Sequence, residues 1–67
     1  MKIFVNGEGI DCGAARTVDE LIQEHRQLSP ETTLVEHNGT ALRRREWSTR
    51  ILRENDRVEI LRVAAGG

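Results

Sequence analysis

Two Asn-Gly pairs, Asn6-Gly7 and Asn38-Gly39, stand on either side of a single capping box, Thr17-Val18-Asp19-Glu20. Asn-Gly is a strong two-residue hairpin signal, because both residues accept the positive φ angles that such a turn imposes. In the capping box the Thr17 hydroxyl accepts from the Glu20 backbone N–H, and the Glu20 carboxylate accepts from the Thr17 N–H. Two hairpins around one well-started helix leave few ways to build a core from this chain.

Lys2-Ile3-Phe4-Val5-Asn6 reads as the first strand, with Ile3 and Val5 on one face and Phe4 on the other. Asn6-Gly7 and Gly9 turn it into a returning strand at Ile10-Asp11-Cys12. After the capping box, Val18, Leu21, Ile22 and His25 recur at helical spacing as one apolar stripe. Asp19 and Glu20 suit the positive end of the helix dipole, and Pro30 predicts an end near Leu28. Thr32-Thr33-Leu34-Val35-Glu36-His37 is β-prone and leads through Asn38-Gly39 into a short strand, Thr40-Ala41-Leu42. Trp47, Ile51 and Leu52 then suggest one short helical turn packed by Trp47. Asn55-Asp56 turns the chain into a last strand, Arg57-Val58-Glu59-Ile60-Leu61-Arg62-Val63. The expected core is Ile3, Val5, Val18, Leu21, Ile22, Leu34, Val58 and Ile60. A crossover through the helix would set the first and last strands side by side and parallel. The class is α+β: a mixed sheet of four or five strands with one main helix across one face.

Composition narrows the function. Sixty-seven residues hold one domain, 1–67, so a catalytic cleft between domains is excluded. Phe4 and Trp47 are the only aromatics, too few for a base-stacking platform or an aromatic cage. Ten Lys and Arg against eleven Asp and Glu give a net charge of −1, so neither nucleic acid nor a membrane is expected as a partner. The charge is uneven: residues 1–33 hold three basic and six acidic groups, residues 34–67 seven and five. Such an asymmetry can orient one protein on another. Cys12 is the single cysteine, which leaves no internal disulfide or CxxC site and suits a reducing, cytoplasmic setting. No apolar run is long enough for a membrane span or a signal peptide.

Catalytic machinery is not evident. No hydroxyl or thiol has a helper in a recognisable motif. His25 reads as a packed helix residue and His37 as a turn residue, and their spacing matches no standard metal site. Cys12, next to the carboxylate of Asp11, reads as structural. Arg43-Arg44-Arg45, with Arg50, Arg53, Arg57 and Arg62, reads as a solvated face neutralised by Glu46, Glu54, Asp56 and Glu59.

The informative feature is the end, Val63-Ala64-Ala65-Gly66-Gly67. Glycine makes up about 7% of ordinary sequence, so a terminal pair arises by chance in roughly 0.5% of chains. Residues 64–67 read as a flexible tail that can thread a narrow channel, with Ala64, Ala65 and Gly66 giving access to the Gly67 carboxylate. A carboxylate at neutral pH is a poor acylating agent and needs a leaving group, most simply as an acyl-adenylate made from ATP. A sulfur or amine nucleophile can then take the acyl group. A candidate docking surface adjoins the tail: Phe4, Leu61 and Val63 on the face away from the helix, rimmed by Arg62.

Together these residues resemble the ThiS-type sulfur carriers of thiamin biosynthesis, small β-grasp proteins related in fold to ubiquitin and to the small subunit of molybdopterin synthase. The resemblance spans nearly the whole chain. It rests on Met1 to Gly7, Thr17-Val18-Asp19-Glu20-Leu21-Ile22, Asn38-Gly39, Arg44-Arg45-Glu46-Trp47, Asp56-Arg57-Val58-Glu59-Ile60 and Gly66-Gly67. Arg43 stands where the family commonly has proline, and Asn55 where it commonly has glycine. The resemblance implies a carrier and not an enzyme, with no bound cofactor. A ThiF-type adenylyltransferase would use MgATP to adenylate Gly67, a sulfur-delivery protein would supply sulfur for a thiocarboxylate, and thiazole synthase would take that sulfur. Supply of sulfur to molybdopterin or another acceptor, or a non-covalent adaptor or RNA-binding role, are the alternatives.

Overall fold

In the computed structural model, which describes residues 1–24 and 32–62, both Asn-Gly pairs close hairpins. Strand β1 (Lys2–Val5) turns through Asn6 and Gly7, at φ 51° and 83°, into β2 (Glu8–Asp11), with Val5 opposite Glu8. Strand β3 (Thr33–His37) turns through Asn38 and Gly39, at φ 50° and 85°, into β4 (Thr40–Leu42), with His37 opposite Thr40. Positive φ at both central residues matches the twist of the flanking strands.

The capping box forms as the sequence predicts. Glu20 N–H donates to Thr17 Oγ1 at 3.1 Å, and Glu20 Oε1 accepts from the N–H groups of Thr17 and Arg16 at 3.2 and 2.7 Å. Helix α1 is described over Val18–Glu24 and buries Val18, Leu21 and Ile22. The predicted helix end near Leu28 and His25 on the stripe lie outside the described residues, as do Val63 and the predicted tail, 64–67. After β4 a 3₁₀ helix, Arg44–Thr49, buries Trp47. The loop that follows ties back to the start of α1, with Val18 N–H donating to Arg50 O and Leu52 N–H to Arg16 O.

The last strand, β5 (Arg57–Arg62), enters the middle of a five-stranded sheet ordered β2-β1-β5-β3-β4. It runs parallel to β1 and antiparallel to β3, so the first and last strands are neighbours as expected. With α1 across one face, this is the β-grasp arrangement.

The core holds Ile3, Cys12, Ala15, Val18, Leu21, Ile22, Val35, Leu42, Trp47, Leu52 and Val58, with Val5 and Ile60 partly buried against it. The expected core is corrected at Leu34, which is 54% exposed while its neighbour Val35 is buried. Two adjacent apolar residues leave the period of β3 ambiguous, and a shift of one residue exchanges its faces. Burying Leu34 would also bury Glu36; burying Val35 takes in His37 instead, a side chain that can be neutral and find a partner. Ile51, placed beside Trp47 by its spacing, is likewise exposed.

Candidate functional site

The described part of the candidate site is the base of the C-terminal segment, carried on the central strand. Glu59 and Leu61 of β5 turn to the face away from α1, and Val58 and Ile60 turn toward it. Leu61 pairs directly with Leu34 of β3, and both are 54% exposed. Two leucines at cross-strand contact form the exposed apolar spot of this face.

The other members of the expected docking surface are placed differently. Phe4 shares the outer face but stands opposite Arg57, four residues along β5 from Leu61, or about 13 Å at strand rise. It is half-buried, with Lys2 Nζ 5.1 Å from its ring centroid, and it lines a shallow groove with Gly7, Arg57 and Glu59. Arg62 pairs with Thr33 and alternates onto the helix side of the sheet, so it does not rim the leucine pair. Leu34, absent from the expected surface, takes the place beside Leu61 that the sequence reading gave to Phe4. Gly66, Gly67, Ala64, Ala65 and Val63 lie outside the described residues.

His37 is a second correction. Rather than a turn residue it is the buried last residue of β3, with Nε2 2.7 Å from Asp56 Oδ2 and Nδ1 accepting from Arg50 Nε at 3.3 Å. An arginine N–H on Nδ1 makes that nitrogen the acceptor, so Nε2 carries the proton toward Asp56. Asp56 also accepts from Asn38 Nδ2 at 3.1 Å and from Arg53 N–H at 2.9 Å. Burial alone would raise the Asp56 pKa; the bonds from Asn38, His37 and Arg53 outweigh it and leave the carboxyl below its ordinary range. This cluster fastens the β3–β4 turn to the entry of β5 and thereby fixes the strand that leads to the C-terminus.

The arginine-rich segment is not neutralised as the sequence suggests. Glu46 accepts from Arg43 N–H, Glu54 from Lys2 N–H, and Asp56 serves His37, Asn38 and Arg53 N–H. These three carboxylates serve main-chain donors and the buried cluster, while Arg43, Arg44 and Arg45 are exposed with no ion pair among the described residues. Cys12 is 1% exposed, its Sγ 3.4 Å from Met1 O, which fits the structural role read from the sequence. Among the described residues no group of three or more His, Cys, Asp and Glu could hold a metal ion. No described helix is long and apolar enough to cross a membrane.

The family model for ThiS matches residues 3–67. The chain belongs to the ThiS family of thiamine-biosynthesis sulfur carriers. It is 30% identical to the sulfur carrier protein ThiS of Escherichia coli (strain K12) over 67 residues, all of both chains. It is also 31% identical over 67 residues to a thiazole synthase of Magnetococcus marinus, matching all of this chain and 20% of that protein. A crystal structure of the thiamine biosynthesis protein ThiS from Geobacter metallireducens superimposes with a TM-score of 0.82 at 30% identity, covering all of both chains. The solution structure of a thiamine biosynthesis protein from the same organism gives 0.77 at 30% identity, covering all of this chain and 88% of that one.

Proposed function

We propose that this ThiS-family chain carries sulfur as a thiocarboxylate on Gly67 and delivers it to the thiazole ring of thiamin. The observation that carries the reading is the end-to-end alignment with a sulfur carrier protein, which includes Gly66-Gly67. The Gly67 carboxylate attacks the α-phosphorus of MgATP on a ThiF-type adenylyltransferase, and pyrophosphate leaves. The terminal sulfur of a persulfide on a delivery protein then displaces AMP to give an acyl disulfide, and a second thiol attacks the delivery protein's sulfur, forming a new disulfide and releasing the Gly67 thiocarboxylate. Ala64, Ala65 and Gly66 lack bulk beyond a methyl group, which lets a narrow channel close around the segment.

The acceptor is thiazole synthase on this reading. Support comes from the Magnetococcus relative, in which a stretch resembling this whole chain occupies a fifth of a protein named thiazole synthase. Parts joined in one chain elsewhere are expected to meet as separate chains here. The outer sheet face at Leu61 and Leu34 is the docking surface next to the tail, because an exposed apolar pair on a rigid central strand suits a protein partner. A buried, unbridged Cys12 suits the reducing cytoplasm.

Incubation with the adenylyltransferase and MgATP should release pyrophosphate. Adding a sulfur source should then raise the intact mass by the oxygen-to-sulfur difference. A chain lacking Gly67, or extended by one residue, should show neither change while keeping its fold. Thiocarboxylate formation on the extended chain would refute the mechanism.

A further inference from the structure

Asn6 both turns the first hairpin and closes part of the edge of β5. Ile60 N–H donates to Asn6 Oδ1 at 2.7 Å, and Asn6 Nδ2 donates to Ile60 O at 3.2 Å. One side-chain amide thus fills the acceptor and donor places that a neighbouring strand would fill. It does so just where β1 turns away, since β1 pairs with β5 only at Phe4–Arg57 and Val5–Val58. Earlier on the same edge, Phe4 N–H donates to Asp56 O at 2.8 Å and Asn6 N–H to Val58 O at 2.9 Å.

The backbone groups that face β1 therefore belong to residues 56, 58 and 60, and alternation puts the N–H and C=O of Arg62 next in line. On the other side β5 remains paired with β3 as far as Arg62 opposite Thr33. On the β1 side no strand pairing or hydrogen bond reaches Arg62 among the described residues. An open edge is a template for another strand, and native proteins block edges they do not use. Here the Asn6 amide blocks Ile60 and leaves Arg62, the last described residue, with five residues following it. Leu61 lies exposed next to this opening, and Leu34 lies exposed across β5 from it.

We propose that the edge of β5 at Arg62 is a strand-docking site, where an extended main-chain segment of the enzyme that receives the C-terminus pairs with the Arg62 N–H and C=O. This rests on the carrier reading. The occupant is polypeptide because a donor and acceptor at strand spacing are complemented by another backbone, with side-chain contacts to Leu61 added on the outer face. Asn6 sets the register: with Ile60 engaged, the incoming strand can begin only at Arg62. Pairing there fixes the direction in which the five following residues enter the partner.

The test replaces the Arg62 backbone amide by an ester, which removes the N–H and keeps the side chain. Affinity for the adenylyltransferase, measured by calorimetry, should fall about tenfold, with an unchanged circular dichroism spectrum. In amide exchange followed by NMR, Ile60 should be protected in the free wild-type chain and Arg62 should become protected only when the enzyme is added. Asn6→Ala should speed exchange at Ile60. Equal affinity of the ester, or an Arg62 amide whose exchange the enzyme does not slow, would overturn the proposal. Adenylation of the wild-type chain is read separately: chemistry with no protection at Arg62 sinks the edge alone, and protection without chemistry sinks the carrier reading alone. A wild-type chain that does not bind the enzyme overturns both.

Discussion

Leu34 on β3 and Leu61 on β5 stand directly opposite each other on the sheet face that α1 leaves uncovered, each 54% exposed. A side chain that exposed contributes little to the core, so Leu34→Ser should change stability by no more than about 0.5 kcal/mol. If the pair docks the adenylyltransferase, the same change should weaken binding about tenfold or more. Thermal melting and calorimetry of Leu34→Ser beside Phe4→Ala separate the two placements. Binding lost with Phe4→Ala and kept with Leu34→Ser would move the surface to the other end of the face.

The Asp56 cluster gives the fold a signature in acid. Its pKa is lowered in the folded state, so its contribution is complete above the ordinary carboxylate value of about 4 and is lost as pH falls through the lower folded value. Urea unfolding from about pH 6 to about pH 2, where carboxylates titrate, should show wild-type stability falling at the acid end. Asp56→Asn should be less stable at neutral pH, and this part of its acid slope should vanish. Parallel slopes for the two proteins would show that other carboxylates carry the dependence.

Much of this architecture was legible because its determinants are local. Thr17 and Glu20 specify a helix start within four residues, and each Asn-Gly pair specifies a turn through its own φ angles. Asn55, where the family commonly has glycine, sits at φ 68°, a left-handed conformation that asparagine tolerates. Long-range pairings were not legible. His37 and Asp56 are 19 residues apart and meet only once β5 has entered beside β3. That meeting settles which face of β3 goes inward and puts Leu34 on the surface. Gly66-Gly67 lies outside the described residues, and its proposed role rests on the sequence alone.

Trp47 offers a test of packing against polarity. It is 2% exposed, and its indole N–H has no hydrogen-bond partner among the described residues. Trp47→Phe removes that orphan donor together with some volume, two effects of opposite sign and of about 1–3 kcal/mol each. The net change in unfolding free energy should therefore be small, within about 1.5 kcal/mol, whereas Trp47→Ala should cost about 3–5 kcal/mol. Denaturant titration of both variants checks this. A Trp47→Phe chain as unstable as Trp47→Ala would mean that the indole N–H is satisfied in solution, for instance by a buried water.

On the proposed carrier reading, the acceptor of the sulfur is set by the enzyme that takes the C-terminus, and it is tested in the cell. Removing the gene should impose a growth requirement that thiamin or its thiazole precursor relieves. A copy encoding the chain without Gly67 should fail to restore growth, and one encoding Leu21→Ala should fail through instability, since that side chain is 1% exposed and its loss costs about 2–5 kcal/mol. Measuring protein abundance separates these two failures: the Gly67-deleted chain should accumulate to wild-type levels and the Leu21→Ala chain should not. Molybdoenzyme activity should stay normal throughout. A strain with no second carrier that grows without thiamin would exclude the thiazole acceptor, and a loss of molybdoenzyme activity in the same strain would assign the sulfur to molybdopterin.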